Sequence, residues 1–196
     1  MISSYESKEL NRKISEAYKH YAFRFKQIKQ AHKDNYIKSL APGAMIPSDS
    51  IILLDGEYKE LAEKLCSDTK IKVLEQLTRA KELIADEVTA APTTDAVNIV
   101  SLLNMRTDLN QEELDSIYAK YGDNVQIYKA LGDIAHKHDL MVNYDNGVEE
   151  QSERIDNLIR NANNINVYEA ERNNQVADGF CAMRQMDIDA TFPTED

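Results

Sequence analysis

The first forty residues carry apolar and aromatic side chains at the spacing of an α-helix. Steps of four and three residues mark one face, which holds Ile14, Tyr18, Tyr21, Phe25 and Ile28 and continues to His32 and Tyr36. No glycine or proline occurs before Pro42, so no helix-breaking residue interrupts the segment. The pattern predicts one long amphipathic helix whose apolar seam, Ile14 to Ile28, packs against another helix.

A line of cations follows the opposite face of this predicted helix. Its members lie seven residues apart and about 200° around the helix from the seam; they are Arg12, Lys19, Lys26 and Lys33, here called the basic stripe. One interpretation is the solvated back of a helix that packs on its own chain. The other is a binding surface for an acidic protein partner.

The charge of the chain is divided along its length. Residues 1–40 hold nine Lys/Arg and four Asp/Glu, a net of +5, while residues 41–196 hold fourteen and thirty, a net of −16. This division favours electrostatic assembly with proteins. Nucleic acid is expected to bind only weakly and in a salt-dependent way, and no membrane partner is expected, because the seam is rich in tyrosine. The heptad-like seam also permits a short coiled coil, and hence a homo-oligomer through the N-terminal helix.

Six glycines and four prolines in 196 residues are too few turn signals for a many-stranded sandwich or barrel. The fold class predicted is therefore all-α. The predicted organisation is a basic helical arm at 1–40, a Pro/Gly hinge at 41–49, a helical core domain at 50–140, a C-terminal helix at 148–184 and an acidic tail at 185–196.

Capping residues place the helices of the core domain. Ser67, Asp68 and Thr69 predict a break between a short helix at 57–66 and a second helix, whose core-facing residues would be Ile71, Leu74, Leu77, Ile84 and Val88. Three shorter helices are predicted to follow. Their expected caps are Thr93 or Thr94, Asn110, and Asp123 or Asn124, with Gly122 ending the second.

The sequence contains no motif of the common enzyme or cofactor-binding classes. The glycines form neither a dinucleotide-binding nor a phosphate-loop motif, and Cys66 and Cys181 stand apart from any Cys/His group. His136 and His138, two residues apart on a helix, point to different faces and would not share a metal ion. We therefore expect a non-enzyme with no catalytic residues, no cofactor and no metal.

One segment resembles a known group of proteins. The run TAAPTTDAVNIVSLLNMR, then LNQEELDSIYAKYGDNVQIYKALGDIAHKHDL, is similar to part of small helical proteins encoded among the virion-structure genes of phages and prophages of Gram-positive bacteria. The marks are the Pro-Thr-Thr entry to a helix, the exit at Asn104 to Arg106 and the turn at Tyr121 to Asn124. The resemblance covers residues 89–140. It implies a scaffold-like or head-accessory protein without catalysis, with phage structural proteins as partners, in the host cytoplasm or on the virion.

The acidic region supports a second functional hypothesis. An anti-defence or regulatory inhibitor could present carboxylates that imitate nucleic acid and occupy a basic cleft. Such a mimic needs carboxylates clustered on one face. The fourteen cations interspersed over residues 41–196 count against it.

Overall fold

The computed structural model describes residues 2–39, 48–166 and 177–194. These residues form seven α-helices and contain no strand, so the all-α prediction is confirmed. The helices are α1 (Ser4–Ser39), α2 (Ser48–Thr89), α3 (Thr94–Met105), α4 (Gln111–Tyr121), α5 (Val125–Lys137), α6 (Val148–Asn163) and α7 (Ala177–Thr191). Residues 41–47 of the predicted hinge lie outside the described residues, and Ser48 and Asp49 already belong to α2.

The chain divides into two compact units. The first, here called the α1 unit, comprises Ser4–Thr78 and Asp156–Asp196. The second, the α3–α5 unit, comprises Met1–Ser3 and Arg79–Ile155. This division differs from the predicted organisation, which separated an N-terminal arm from a core domain at 50–140.

α1 packs on its own chain through the apolar seam. Ile14, Tyr18, Tyr21 and Phe25 are all buried and Ile28 is half-buried. The Tyr21 hydroxyl lies 3.6 Å from the Cys66 thiol sulphur, and His32 Nε2 lies 2.9 Å from Asp55 Oδ1. The second contact lies eleven residues later than the first on α1 but eleven residues earlier on α2. The two helices are antiparallel neighbours in this unit.

The end of the chain packs against the start of α1. Ile188, Thr191 and Phe192 are buried. Asn11 Nδ2 donates hydrogen bonds of 2.8 Å to Asp189 Oδ1 and to the Phe192 carbonyl. Burying one Phe or Ile side chain stabilises a fold by about 1.5–3 kcal/mol. Residues 185–191 of the predicted acidic tail at 185–196 are helical and include Ile188 and Thr191, two of these buried residues.

The predicted single helix at 148–184 is not continuous. α6 ends at Asn163, residues 164–166 are not helical, and α7 begins at Ala177. Asparagine side chains compete for backbone hydrogen bonds and weaken a helix; Asn166 Nδ2 donates to the Asn164 carbonyl at 2.9 Å. Lys70 Nζ also donates to the Asn163 carbonyl at 3.2 Å, which satisfies a backbone acceptor at the end of α6.

The predicted break at Ser67 to Thr69 is also wrong, because α2 runs through these residues. The Thr69 hydroxyl donates to the Leu65 carbonyl at 2.8 Å and so is satisfied inside the helix. The buried face includes Cys66, Thr69, Val73 and Leu77 at steps of three and four. Ile71 was predicted to face the core but is 53% exposed. The buried face of α2 continues in one register from Cys66 to Leu77, and Ile71 lies off that face.

The helices of the α3–α5 unit begin at predicted capping residues. The side chains of Thr93, Asn110 and Asn124 accept hydrogen bonds from the first backbone N–H groups of α3, α4 and α5, and Gly122 is the C-cap of α4. Each such cap stabilises a helix by about 1 kcal/mol. The three helices enclose a core of Ala96, Leu103, Leu114, Tyr118, Ile127, Leu131, Ile134 and Ala135.

Three tyrosines fasten the segment after α5 to this core. The Tyr118 and Tyr144 rings stack with centroids 5.9 Å apart, and the Tyr128 hydroxyl donates to the Tyr144 carbonyl at 3.2 Å. The Tyr144 hydroxyl donates to Asp123. Burial raises the pKa of Tyr118 to about 12, so its hydroxyl stays protonated well above neutral pH.

Candidate protein-binding surface

The basic stripe lies on the exposed face of α1. Arg12, Lys19, Lys26 and Lys33 are all exposed, whereas the seam residues are buried or half-buried. Arg12 Nη1 lies 2.9 Å from Glu16 Oε1, so a neighbouring carboxylate offsets its charge. Lys19, Lys26 and Lys33 continue the exposed line of cations beyond this pair.

An aromatic residue that the sequence analysis did not single out lies within the stripe. Phe23 is 60% exposed. It stands four residues after Lys19 and three before Lys26, and residues at these separations are neighbours on a helix surface. The sequence did contain a signal for Phe23, because it is an aromatic residue that lies between two lysines and outside the seam. An exposed ring among ammonium groups provides apolar contact area at a charged surface.

The stripe ends in a concave region of about 880 Å³. It is lined by three lysines, Lys26, Lys29 and Lys33, and by Gln30, His32, Tyr36 and Asp55. Of the four predicted stripe residues it therefore brings two together, Lys26 and Lys33, and it adds Lys29. Three ammonium groups against one carboxylate attract carboxylate or phosphate groups.

A second groove, of about 830 Å³, shares the His32–Asp55 pair. The Tyr58 ring lies 4.7 Å from the His32 ring, and Cys66 and Ser67 line the far part. Desolvation by burial raises the pKa of the Cys66 thiol, which keeps it protonated and unreactive at neutral pH. Within the described ranges no three His, Cys, Asp or Glu side chains gather as ligands for a metal ion.

In the described residues of the acidic part, several carboxylates form ion pairs with cations that lie among them. Lys59 lies 3.9 Å from Glu63, Arg106 3.7 Å from Asp108, and Arg154 2.6 Å from Glu150. Nucleic-acid mimicry needs an uninterrupted run of negative charge on one face. These mixed-sign pairs weigh against the inhibitor hypothesis.

Comparisons with protein-family models, with curated proteins and with solved structures found no match. In the part of the chain that the structure describes, no helix combines the length and apolar character needed to cross a membrane. The fold and the surface thus define an all-α protein that presents a basic, partly aromatic helix face.

Proposed function

We propose that this chain is a non-catalytic phage assembly or virion-associated protein that binds an acidic structural protein through the exposed face of α1. The observation that carries the proposal is the separation of roles on this helix. The seam is occupied by the protein's own chain, while Lys19, Lys26 and Lys33 face outward around Phe23. The resemblance of residues 89–140 to phage virion-structure proteins supports the biological setting.

An acidic protein surface is a better partner than nucleic acid for this face. Three to five cations give only a weak, salt-dependent affinity for a polyanion such as nucleic acid. A folded acidic partner adds apolar contact with Phe23, which does not depend on charge. Homo-oligomerisation through the seam is less favoured, because separating α1 from its own chain would expose Ile14, Tyr18, Tyr21 and Phe25.

The test is a charge reversal with a matched control. The triple variant Lys19→Glu, Lys26→Glu and Lys33→Glu is compared with Lys64→Glu, Lys72→Glu and Lys81→Glu, three exposed lysines of α2. Both variants change the net charge by the same amount. The measurements are co-purification with portal, capsid and scaffold proteins from infected cells after nuclease treatment, and the yield of filled particles.

We expect the α1 variant to co-purify at least tenfold less partner, because each lysine contact becomes a repulsion. The α2 variant should retain the partner within about twofold, as rim charges away from an interface have little effect on affinity. Equal retention by both variants would contradict the proposal. So would loss of binding on nuclease treatment alone.

A further inference from the structure

The α3–α5 unit exposes apolar side chains that its own core does not cover. α3 is apolar on most of its faces; Ala96 and Leu103 are buried, whereas Leu102 is 56% and Met105 73% exposed. Leu102 and Met105 are three residues apart and therefore neighbours on the helix surface. A helix that is apolar beyond its buried face is expected to have a further contact.

Hydrogen bonds bring a second exposed apolar pair to the same end of this unit. Lys137 Nζ, at the end of α5, donates to the Asn104 carbonyl near the end of α3 at 2.9 Å. The Gln111 side chain, at the start of α4, donates to the Met141 carbonyl and accepts from the Met141 N–H at 2.8 and 2.9 Å. Met141 is 72% and Val142 42% exposed. We call Leu102, Met105, Met141 and Val142 the methionine end.

Exposed carboxylates occur in the segments next to the methionine end. The Asp108 side chain is 89% exposed, and Glu112, in the first turn of α4, and Asp139, after α5, are also exposed. The cations of this end are fewer than its carboxylates. Arg106 binds Glu113 and lies 3.7 Å from Asp108, and Lys137 keeps its charge while it donates to a backbone carbonyl. Four carboxylates (Asp108, Glu112, Glu113 and Asp139) against these two cations leave a net charge of −2 at this end.

We propose that the methionine end is a docking surface for a basic amphipathic helix of a second partner protein. Methionine side chains adapt to the shape of an apolar ligand, and a helix in such a site contributes apolar residues at steps of three and four. The excess of carboxylates at this end selects lysine or arginine beside those anchors. This inference does not rest on the proposed function: the basic stripe recruits an acidic partner, and the methionine end recruits a basic one.

The probe is a fluorescein-labelled helical peptide of leucine and lysine with its leucines on one face, titrated into the full-length chain at physiological salt. A peptide of the same composition in scrambled order, and one with glutamate in place of lysine, are the ligand controls. The variant Met105→Glu with Met141→Glu is compared with Met183→Glu with Met186→Glu, methionines of α7 that are 68% and 72% exposed. The two variants carry the same charge change.

We expect the Met105/Met141 variant to weaken binding of the probe by tenfold or more and the Met183/Met186 variant by less than twofold. The variant Met105→Gln with Met141→Gln removes the apolar contact without adding charge and should weaken binding by at least fivefold. All these side chains are exposed, so thermal unfolding should be unchanged.

Equal affinity for the amphipathic and scrambled peptides, or equal losses in both methionine pairs, would overturn the proposal. Concentration-dependent self-association that only the Met105/Met141 variant abolishes, without binding of the probe, would overturn it in favour of a second copy as the occupant. Because the basic stripe is intact in every variant, failure here leaves the proposed function standing.

Discussion

At the scale of single residues, side-chain and backbone caps hold the helix ends of the α3–α5 unit. Thr93, Asn110 and Asn124 act within three residues of their own position, so their side-chain chemistry alone indicated the helix starts. Asp139 gives no such signal. It has a φ of 54°, and the Leu140 N–H bonds to the Ala135 carbonyl at 2.9 Å. This is the arrangement that usually places glycine after a helix.

Asp139→Gly should therefore stabilise the protein. Aspartate pays a conformational penalty at positive φ that glycine does not, and its charge is unfavourable at a helix C-terminus. We expect the free energy of unfolding to rise by about 1 kcal/mol, measured by urea denaturation. Asp139→Ala is the control, since it removes the charge but keeps the Cβ atom. A glycine variant no more stable than the alanine variant would show that the left-handed conformation carries no cost here.

At the scale of helices, the continuity of α2 depends on packing that the sequence pattern did not reveal. Ser67, Asp68 and Thr69 are capping residues by type, yet Thr69 lies among buried residues and bonds to the preceding turn. The local signal for a break is overridden by a face that continues from Cys66 to Leu77.

A proline at position 68 distinguishes a continuous helix from a helix start. Asp68→Pro should lower the free energy of unfolding by about 3 kcal/mol, because proline in a helix interior removes a hydrogen bond and clashes with the preceding turn. The matched control is Thr94→Pro, at the first position of α3 behind its cap Thr93, where proline is tolerated. Circular dichroism with urea denaturation measures both. Equal tolerance of the two prolines would indicate that a helix begins near residue 68.

At the scale of the whole molecule, the sequence predicted the class of fold and the two faces of α1, but not what covers the seam. Helical spacing and the scarcity of glycine and proline determine the class. The seam's partner depends on contacts between distant residues, such as Tyr21 with Cys66 and Asn11 with Phe192, and no local pattern encodes them. For the same reason Phe23 and the methionine end emerge only when burial is known.

The account depends on α1 packing against its own chain with its basic face outward, and thiol labelling measures this directly. Two variants with a single thiol are compared. The first carries Cys181→Ser and keeps Cys66, which contacts the Tyr21 hydroxyl. The second lacks both natural cysteines and carries Lys26→Cys, and the labelling rate of each thiol is measured. Buried sites react only through opening, so Cys66 should react about 10³-fold or more slowly than Lys26→Cys in the folded protein, and at a similar rate in urea. Rates within tenfold of each other in the folded protein would contradict the packing of α1 and, with it, the assignment of its basic face as the binding surface.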